Sequence, residues 1–361
     1  MLSTYAYGHD FGNAETCGVL FEHGIQRAIS LPSATALGSL HDLVQVRSAL
    51  GGNGTGAPAE VIKQGEYVLE HHGNELFVGT LALKHARNAT TARGDVNRYA
   101  SVRSLHLLLA ASASLISQAE YQLNVVTGLP VETFPHVEIR KQVKAALEGE
   151  HRFVLNGVPR LAVVRVTKVI MEGAGAIIAY GATDDILQGC IDIGGQTTDL
   201  FAAEGQTPTL HLCKGKGVGV EAVADLLSQQ FQARYHRPLK LQETRALLHA
   251  HVKTRTYKPL AVNGRTVAED ELRPLLEQAL TTIGHEIASF VGTTWKTAED
   301  GSVGSDIAKL LLVGGGAYYF GEALRTRIPH LIIPQQPELA NAIGYAALAE
   351  QLSYRVRAIA S

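Results

Sequence analysis

The amino-acid sequence predicts an α/β fold of roughly two domains. Short runs rich in β-branched and aromatic residues alternate with amphipathic segments of helical period along most of the chain. The 361 residues are 46% hydrophobic and 18% charged, which provides for a sizeable core. At the ends of two predicted strands an aspartate is followed closely by glycine, and a third strand is followed by three glycines. Each of these strand ends is therefore a candidate for ligand contact.

Charge and cysteine content exclude several classes of function. With 32 basic and 34 acidic residues the net charge is −2, so we expect neither direct nucleic-acid binding nor association with a membrane. The most apolar helical segment, 104–120, is short for a bilayer span and is interrupted by serines, which predicts a buried core helix. Cys17, Cys190 and Cys213 lack CxxC spacing and indicate reduced thiols in a cytoplasmic protein.

The first candidate site is a hairpin whose predicted turn carries an acid. Strands are predicted at 4–9 and 15–21, joined by the turn “DFGN” at 10–13. A carboxylate such as Asp10 can hold Mg²⁺ through the waters that the metal retains, and glycine lets backbone N–H groups approach phosphate oxygens. The turn therefore suits a metal–phosphate site.

The second candidate site is the stretch “IDIGGQTTDL” at 191–200. A buried strand carries Asp192 and then breaks at Gly194 and Gly195. Burying a carboxylate costs several kcal/mol unless it is paired, hydrogen-bonded or facing a cation, so Asp192 predicts a nearby cation. The hydroxyl of Thr197 adds a donor for phosphate.

The third candidate site follows the apolar strand in “KLLLVGGGAYYFGEAL” at 309–324. Gly314, Gly315 and Gly316 let a flat ligand lie against the backbone before a helix begins. Another glycine-rich stretch, “LGGNGTGAPAE” at 50–60, lacks the GK[ST] ending of a phosphate loop and is predicted to be a connecting loop.

Together these motifs resemble a known superfamily. “HDFGNAETCGVLF”, “GCIDIGGQTTDLFAAEG” and “KLLLVGGGAYYF” resemble, in order and spacing, the phosphate-one, phosphate-two and adenosine motifs of the actin, sugar-kinase and heat-shock-chaperone ATPases. “ELFVGTLALKHAR”, “NVVTGLPVETF” and “KVIMEGAGAI” resemble, more narrowly, the bacterial and archaeal actin-like proteins related to the plasmid-segregation ATPase ParM (StbA).

The resemblance implies an actin-like, ribonuclease H-like α/β fold. Two domains surround a nucleotide cleft in this fold, and each carries an inserted smaller subdomain. The implied boundaries are 1–185 with 325–361 returning for domain I, 186–324 for domain II, and peripheral subdomains at about 34–100 and 227–275.

The resemblance also implies roles for individual residues. Asp10 and Asp192 are implied to hold Mg²⁺ through water, and Glu172 to orient the hydrolytic water, so these three form the implied catalytic set. The implied contacts to ATP or ADP are Gly12 and Asn13 in the first turn, Gly194, Gly195, Gln196 and Thr197 in the second, Gly314, Gly315 and Gly316 in the adenosine loop, and Gly217, Gly219 and Glu221 beneath the ribose and base.

The first turn departs from the family pattern. Phe11 and “AE” at 14–15 replace the small hydroxyl and the lysine that many relatives carry, which removes a cation from the phosphates. Lys168 and Lys216 are candidates to replace it. The basic stretch formed by Arg87, Arg93 and Arg98 is predicted to be a solvated face, with a filament or DNA-adaptor contact as the alternative.

The function implied by the resemblance is an ATPase that polymerises with itself in an ATP-dependent manner. Plasmid or other DNA segregation through a DNA-bound adaptor, or another cytoskeletal role in the cytoplasm, is the implied biology. One alternative is a small-molecule kinase, although “NVVTGLPVETFPH” offers Glu132 and no aspartate as catalytic base. The other is a non-polymerising nucleotide-binding scaffold, although the C-terminal “LAEQLSYRVRAIAS” is short for a membrane-anchoring tail.

Overall fold

The computed structural model describes residues 2–49, 62–85, 89–91, 98–181, 186–296 and 302–360. The predicted glycine-rich loop at 50–60 lies outside these residues, as do Arg87 and Arg93. The chain divides into two compact units. Unit 1 comprises Met1–Gly181 and Leu339–Ser361, and unit 2 comprises Ala182–Glu338.

The strands of unit 1 form one mixed sheet. In chain order they are β1 (Ser3–Phe11), β2 (Glu15–Glu22), β3 (Ile25–Pro32), β4 (Ala34–Leu37), β5 (Tyr67–His71), β6 (Asn74–Val78), β7 (Thr90–Thr91), β8 (Glu120–Leu129), β9 (Gly149–Leu155) and β10 (Val158–Met171). Their order across the sheet is β3-β2-β1-β8-β10-β9-β5-β6-β4-β7. Strands β1, β8 and β10 run parallel at its centre, and the other neighbours are antiparallel.

The strands of unit 2 form a second sheet and a separate hairpin. They are β11 (Leu187–Ile193), β12 (Thr198–Glu204), β13 (Thr207–Pro208), β14 (Lys214–Lys216), β15 (Leu260–Val262), β16 (Arg265–Val267), β17 (Lys309–Val313) and β18 (Leu331–Ile332). The sheet has the order β13-β12-β11-β17-β18, with β14 also paired to β12 and β15 paired to β16 alone. Strands β11, β17 and β18 are parallel.

The helices pack against these sheets. They are α1 (Leu40–Ala49), α2 (Thr80–His85), α3 (Val102–Leu115), α4 (Val137–Leu147), α5 (Ala174–Tyr180), α6 (Val220–Tyr235), α7 (Leu241–Lys253), α8 (Glu269–Thr294), α9 (Ala317–Arg325) and α10 (Ala340–Ala360). Among the described helices, none combines the length and the apolarity needed to cross a bilayer.

Both faces of the central strands of unit 1 are covered, as the apolar sequence of β8 requires. Helices α3 and α4 pack on one face, and α10 packs on the other. The predicted buried helix is confirmed as α3, which begins after its cap Ser101 and ends at Leu115. Helix α10 approaches β1 so closely that a Cβ on Gly8 would lie 2.1 Å from the carbonyl oxygen of Ala342. Glycine therefore permits this packing.

The two segments predicted as peripheral subdomains differ in their packing. In the described part of 34–100, a small apolar cluster around Leu43, Phe77 and Leu81 is separate from the main core of unit 1. The apolar residues of 227–275 instead belong to the same cluster as Ile191 and Ile193 of β11. Unit 2 also extends past residue 324, because β18 pairs with β17, and the chain returns to unit 1 at Leu339.

Candidate functional site

In unit 1, the first acidic residue lies on a strand and not in the predicted turn. Asp10 pairs with Cys17, and Phe11 pairs with Thr16, so β1 continues to Phe11 and the turn is confined to 12–14. The predicted turn position of Asp10 is therefore wrong. The physical reason is that Phe11 is buried in the core, which extends the ladder of the hairpin by two residues.

A buried hydrogen-bond chain supports Asp10 from the neighbouring strand. The Thr16 hydroxyl donates to the backbone oxygen of Asp10 (2.9 Å) and contacts Nε2 of His9 (2.9 Å). Since the hydroxyl has one proton, His9 Nε2 must be the donor in the second contact. Burial lowers the pKa of His9 to about 3, which keeps this imidazole neutral.

The turn after Asp10 is clamped by Ser33. The Ser33 hydroxyl donates to the Gly12 oxygen (2.6 Å), and the Ser33 N–H donates to the Ala14 oxygen (2.9 Å). A Cβ on Gly12 would lie 2.3 Å from the oxygen of Glu15, so the turn requires glycine. Asn13 is buried, and its Oδ1 has no hydrogen-bond partner within the described residues. Such an atom is available to a ligand or to a metal-bound water.

Asp10 is half-buried, and the positive charge of Arg98 acts on its carboxyl group. Desolvation raises its pKa to about 7, and the positive charge of Arg98 lowers it. A bound cation would favour the ionised form, so the donor fits Mg²⁺ held through water.

Glu172 follows β10 at the same sheet edge as Asp10, because β1, β8 and β10 are parallel. Its side chain is 9% exposed, which rules out the solvated glutamate expected of an ordinary helix start. The Tyr99 hydroxyl donates to Glu172 Oε1 (3.4 Å), and the Glu172 N–H donates to the Leu129 oxygen (2.8 Å). The next residue, Gly173, donates its N–H to Oδ1 of Asn341 (3.0 Å). Glu172 is therefore fixed from both sides.

In unit 2, the predicted hairpin around Asp192 is confirmed. Strand β11 ends at Ile193, the turn occupies 194–197, and the Gly194 N–H donates to the Thr197 oxygen (2.9 Å). Asp192 pairs in register with Asp199, and both side chains are buried.

The N-terminus of α6 packs directly on this turn. The N–H groups of Val220 and Glu221 donate to the oxygens of Gly194 (3.1 Å) and Gly195 (2.8 Å). A Cβ on Gly219 would lie 2.5 Å from the Gly194 oxygen, so the contact requires glycine. Two residues that are predicted to contact the ligand also interact here, since Gln196 Nε2 donates to Glu221 Oε2 (3.2 Å).

The third glycine loop lies against Asp192. Gly314 has a φ of +77°, and a Cβ there would lie 2.5 Å from Asp192 Oδ1. The Gly316 N–H donates to the Ile193 oxygen (2.8 Å), which fixes the loop to the end of β11. A Cβ on Gly315 or on Gly217 would meet no atom of the described chain within 4 Å, so both backbones face open space.

The structure thus assembles the predicted residues in two groups. Unit 2 brings together Asp192, the turn 194–197, the start of α6 and the loop 314–316, whereas Asp10, Gly12, Asn13 and Glu172 belong to unit 1. In the described part of the chain, no three His, Cys, Asp or Glu side chains are grouped to bind a metal directly.

The sequence did not indicate four residues that support these groups: Ser33, Tyr99, Asn341 and, in its observed role, Arg98. Arg98 is half-buried and faces the Gly12 turn, so its assignment to a solvated face is wrong. An asparagine within the alanine-rich sequence of α10 was an available signal for Asn341, and the structure shows that this side chain is buried. Of the two candidate lysines, Lys216 forms an ion pair with Glu286 (2.9 Å).

The fold and these loops define a two-domain α/β protein of the actin type, and comparison with known families agrees. Residues 8–175 match the family model for the N-terminal domain of actin-like proteins, and residues 190–326 match that for the C-terminal domain of the archaeal actin homologue, MreB-like. The chain therefore belongs to the actin-like proteins. None of the curated protein sequences matches it significantly.

Solved structures show the same fold over nearly the whole chain. The archaeal actin homologue Ta0583 is 21% identical with a TM-score of 0.72, covering 97% of this chain and 100% of that one, and it has also been solved with ADP. A ParM from Clostridium botulinum, solved as a 15-stranded filament, is 19% identical with a TM-score of 0.75 and covers 97% and 100%. Bacillus thuringiensis ParM with AMPPNP is 13% identical with a TM-score of 0.65 and covers 97% and 99%.

Proposed function

We propose that this protein is an ATPase that binds ATP with Mg²⁺ and polymerises into filaments in an ATP-dependent manner. The observation that carries the proposal is the convergence of Asp192, the turn 194–197, the start of α6 and the loop 314–316 in unit 2. The ADP and AMPPNP complexes and the filament among the similar structures support it.

Each group has a chemical role in this proposal. Backbone N–H groups of the turns at 12–14 and 194–197 bind phosphate oxygens, with Gln196 and Thr197 as additional donors. The open backbone at Gly315 receives the flat base and ribose, and Gly217 and Glu221 line the same ligand. The Asp10 and Asp192 carboxylates would hold Mg²⁺ through water, and the metal would neutralise phosphate charge.

Glu172 is the proposed water-positioning residue. Its carboxylate accepts a hydrogen bond from the attacking water and aligns the oxygen with the terminal phosphorus. The Tyr99 hydroxyl and the backbone bonds on both sides of Glu172 hold the carboxylate in place. Loss of the terminal phosphate removes contacts to the turns, which would destabilise the filament. Segregation of plasmid or other DNA in the cytoplasm, through a DNA-bound adaptor, is the biological role that we propose.

Light scattering recorded together with phosphate release, after Mg²⁺–ATP is added to micromolar protein, tests this function. Wild-type scattering should rise and then decay as phosphate appears. Asp192→Asn removes the negative charge at nearly constant volume and should abolish both signals. Glu172→Gln should assemble but slow phosphate release by about 10²-fold or more, so its scattering persists.

Glu204→Gln is the matched control, because Glu204 is exposed at the other end of the same hairpin as Asp192. It should behave as the wild type does. Phosphate release with flat scattering would contradict polymerisation, and the absence of both signals in wild-type protein would contradict the proposed activity.

A further inference from the structure

The turn that follows Asp10 contains no cation of its own. Its residues are Gly12, Asn13 and Ala14, yet a nucleoside triphosphate brings several negative charges to such a turn. Binding phosphate at this position is stronger when an arginine or lysine neutralises part of that charge.

Arg98 lies where such a cation is needed. Its side chain lines a small cavity together with Gly12, Ser33 and Arg103, and its charge acts on the Asp10 carboxyl group. Arg98 is nevertheless not within 4 Å of any carboxylate among the described residues. Its Nε is buried and has no hydrogen-bond partner in that part of the chain.

The guanidinium is already held in position. It stacks 4.5 Å from the centroid of the Tyr99 ring, and one of its Nη atoms donates to the Tyr99 hydroxyl. Hydroxyls of Ser101 and Ser104 donate to the backbone oxygen of Arg98, which fixes the short helical turn that carries it. The neighbouring Arg103 has a different partner: its Nη1 donates a hydrogen bond to the Thr91 oxygen (2.9 Å).

We infer that Arg98 is the cation of the phosphate site in unit 1 and binds the phosphate groups of the nucleotide next to the Gly12 turn. This inference rests on the proposed nucleotide binding and adds a residue to it. A guanidinium prearranged by stacking loses little freedom when phosphate binds, so a lysine of similar charge cannot fully replace it.

Equilibrium binding of ATP, ADP and adenosine to the full chain, each with Mg²⁺, tests the inference. Arg98→Met keeps most of the side-chain length and removes the charge. It should weaken ATP binding by about 10- to 100-fold, weaken ADP binding less and leave adenosine binding unchanged. Arg98→Lys should give an intermediate loss. Arg152→Met is the control, since Arg152 is an exposed arginine on β9 of the same unit.

The outcomes separate this inference from the function on which it rests. If the wild type binds ATP and Arg98→Met binds it with the same affinity, the inference is overturned and the proposed function remains intact. An equal loss for ATP, ADP and adenosine would also overturn it, because it would show that Arg98 only supports the fold. If the wild type bound none of the three, the proposed function and the inference would fail together.

Discussion

At the scale of single residues, the position of Glu172 depends on Tyr99. The phenol oxygen accepts a hydrogen bond from Arg98 and donates one to Glu172 Oε1, so it joins the proposed phosphate cation to the proposed water-positioning carboxylate. A donor that is itself polarised by a guanidinium forms a stronger hydrogen bond. We therefore predict that Tyr99 acts as a positioning residue for Glu172.

Replacing Tyr99 by phenylalanine should separate positioning from binding. The ring and its stacking on Arg98 remain, whereas the donor to Glu172 is lost. We expect single-turnover phosphate release to slow by about tenfold and the affinity for ATP to fall much less than in Arg98→Met, because the stacked guanidinium keeps its charge. Quench-flow measurement of phosphate beside equilibrium binding gives both quantities.

Tyr121→Phe provides the comparison for this variant. The Tyr121 hydroxyl is also buried and contacts Ser112 Oγ (3.1 Å), so its loss costs stability without touching Glu172. Hydrolysis by Tyr121→Phe should match that of the wild type. Equal rates in Tyr99→Phe and wild-type protein would show that the Tyr99 hydroxyl does not position Glu172.

Single residues were predictable where the reason for them was local. An aspartate in an apolar strand, followed by two glycines, predicts the strand end and turn next to Asp192 without any knowledge of the fold. Arg98 and Tyr99 were not predictable in this way, because their short helical turn meets Asp10 and Glu172 only through packing between residues far apart in the chain. Asp10 was recognised, but its place on the strand depends on the burial of Phe11.

At the scale of elements, three buried histidines join β5, α3 and β9. His71 Nδ1 lies 3.3 Å from His106 Nε2, and His151 Nε2 donates to the Leu147 oxygen (3.0 Å). Burial is the main cause that lowers the pKa of His71 and of His106 to about 4, with smaller effects from neighbouring histidines including His72. Burial also lowers the pKa of His151.

Stability should therefore fall as the pH decreases from about 6.5 towards 4. In this range the unfolded chain binds protons that the folded histidines exclude, so acid favours unfolding; above about 6.5 both states are neutral at these positions. Each excluded proton contributes up to about 1.4 kcal/mol per pH unit. His106→Gln cannot titrate and should show a shallower loss. Urea unfolding midpoints at pH 7, 6 and 5 measure this slope.

The exposed His136 provides the reference variant for the pH series. His136→Gln should keep the wild-type slope, since His136 lies outside the buried histidine cluster. A wild-type slope in His106→Gln would mean that protonation of the cluster does not contribute to acid unfolding.

Elements whose partners are close in sequence were predicted well. Both aspartate hairpins and the strand before Gly314 follow from local patterns, although the first turn begins two residues later than predicted. The pairing of β5 with β9, which sets Leu69 opposite Leu155, has no local signal.

At the scale of the whole molecule, the order of motifs along the chain predicted the fold more reliably than the boundaries between its parts. The family matches at 8–175 and 190–326 agree with two successive domains of the actin type. The end of unit 2 was harder to predict, since it depends on the two-residue strand β18, whose parallel pairing to β17 holds 331–332 in that unit. A strand so short has no recognisable periodicity.

Calorimetric titration of Mg²⁺–ATP into wild-type protein and Gly315→Val tests nucleotide binding at the glycine loops most directly. Gly315 lacks a positive φ, and its missing Cβ would meet no described atom within 4 Å, so the variant should unfold at the wild-type temperature. The added side chain should occupy the place of the nucleotide and weaken binding at least about tenfold. Saturable binding that is equal in both proteins, or no binding to the wild type, would contradict the account.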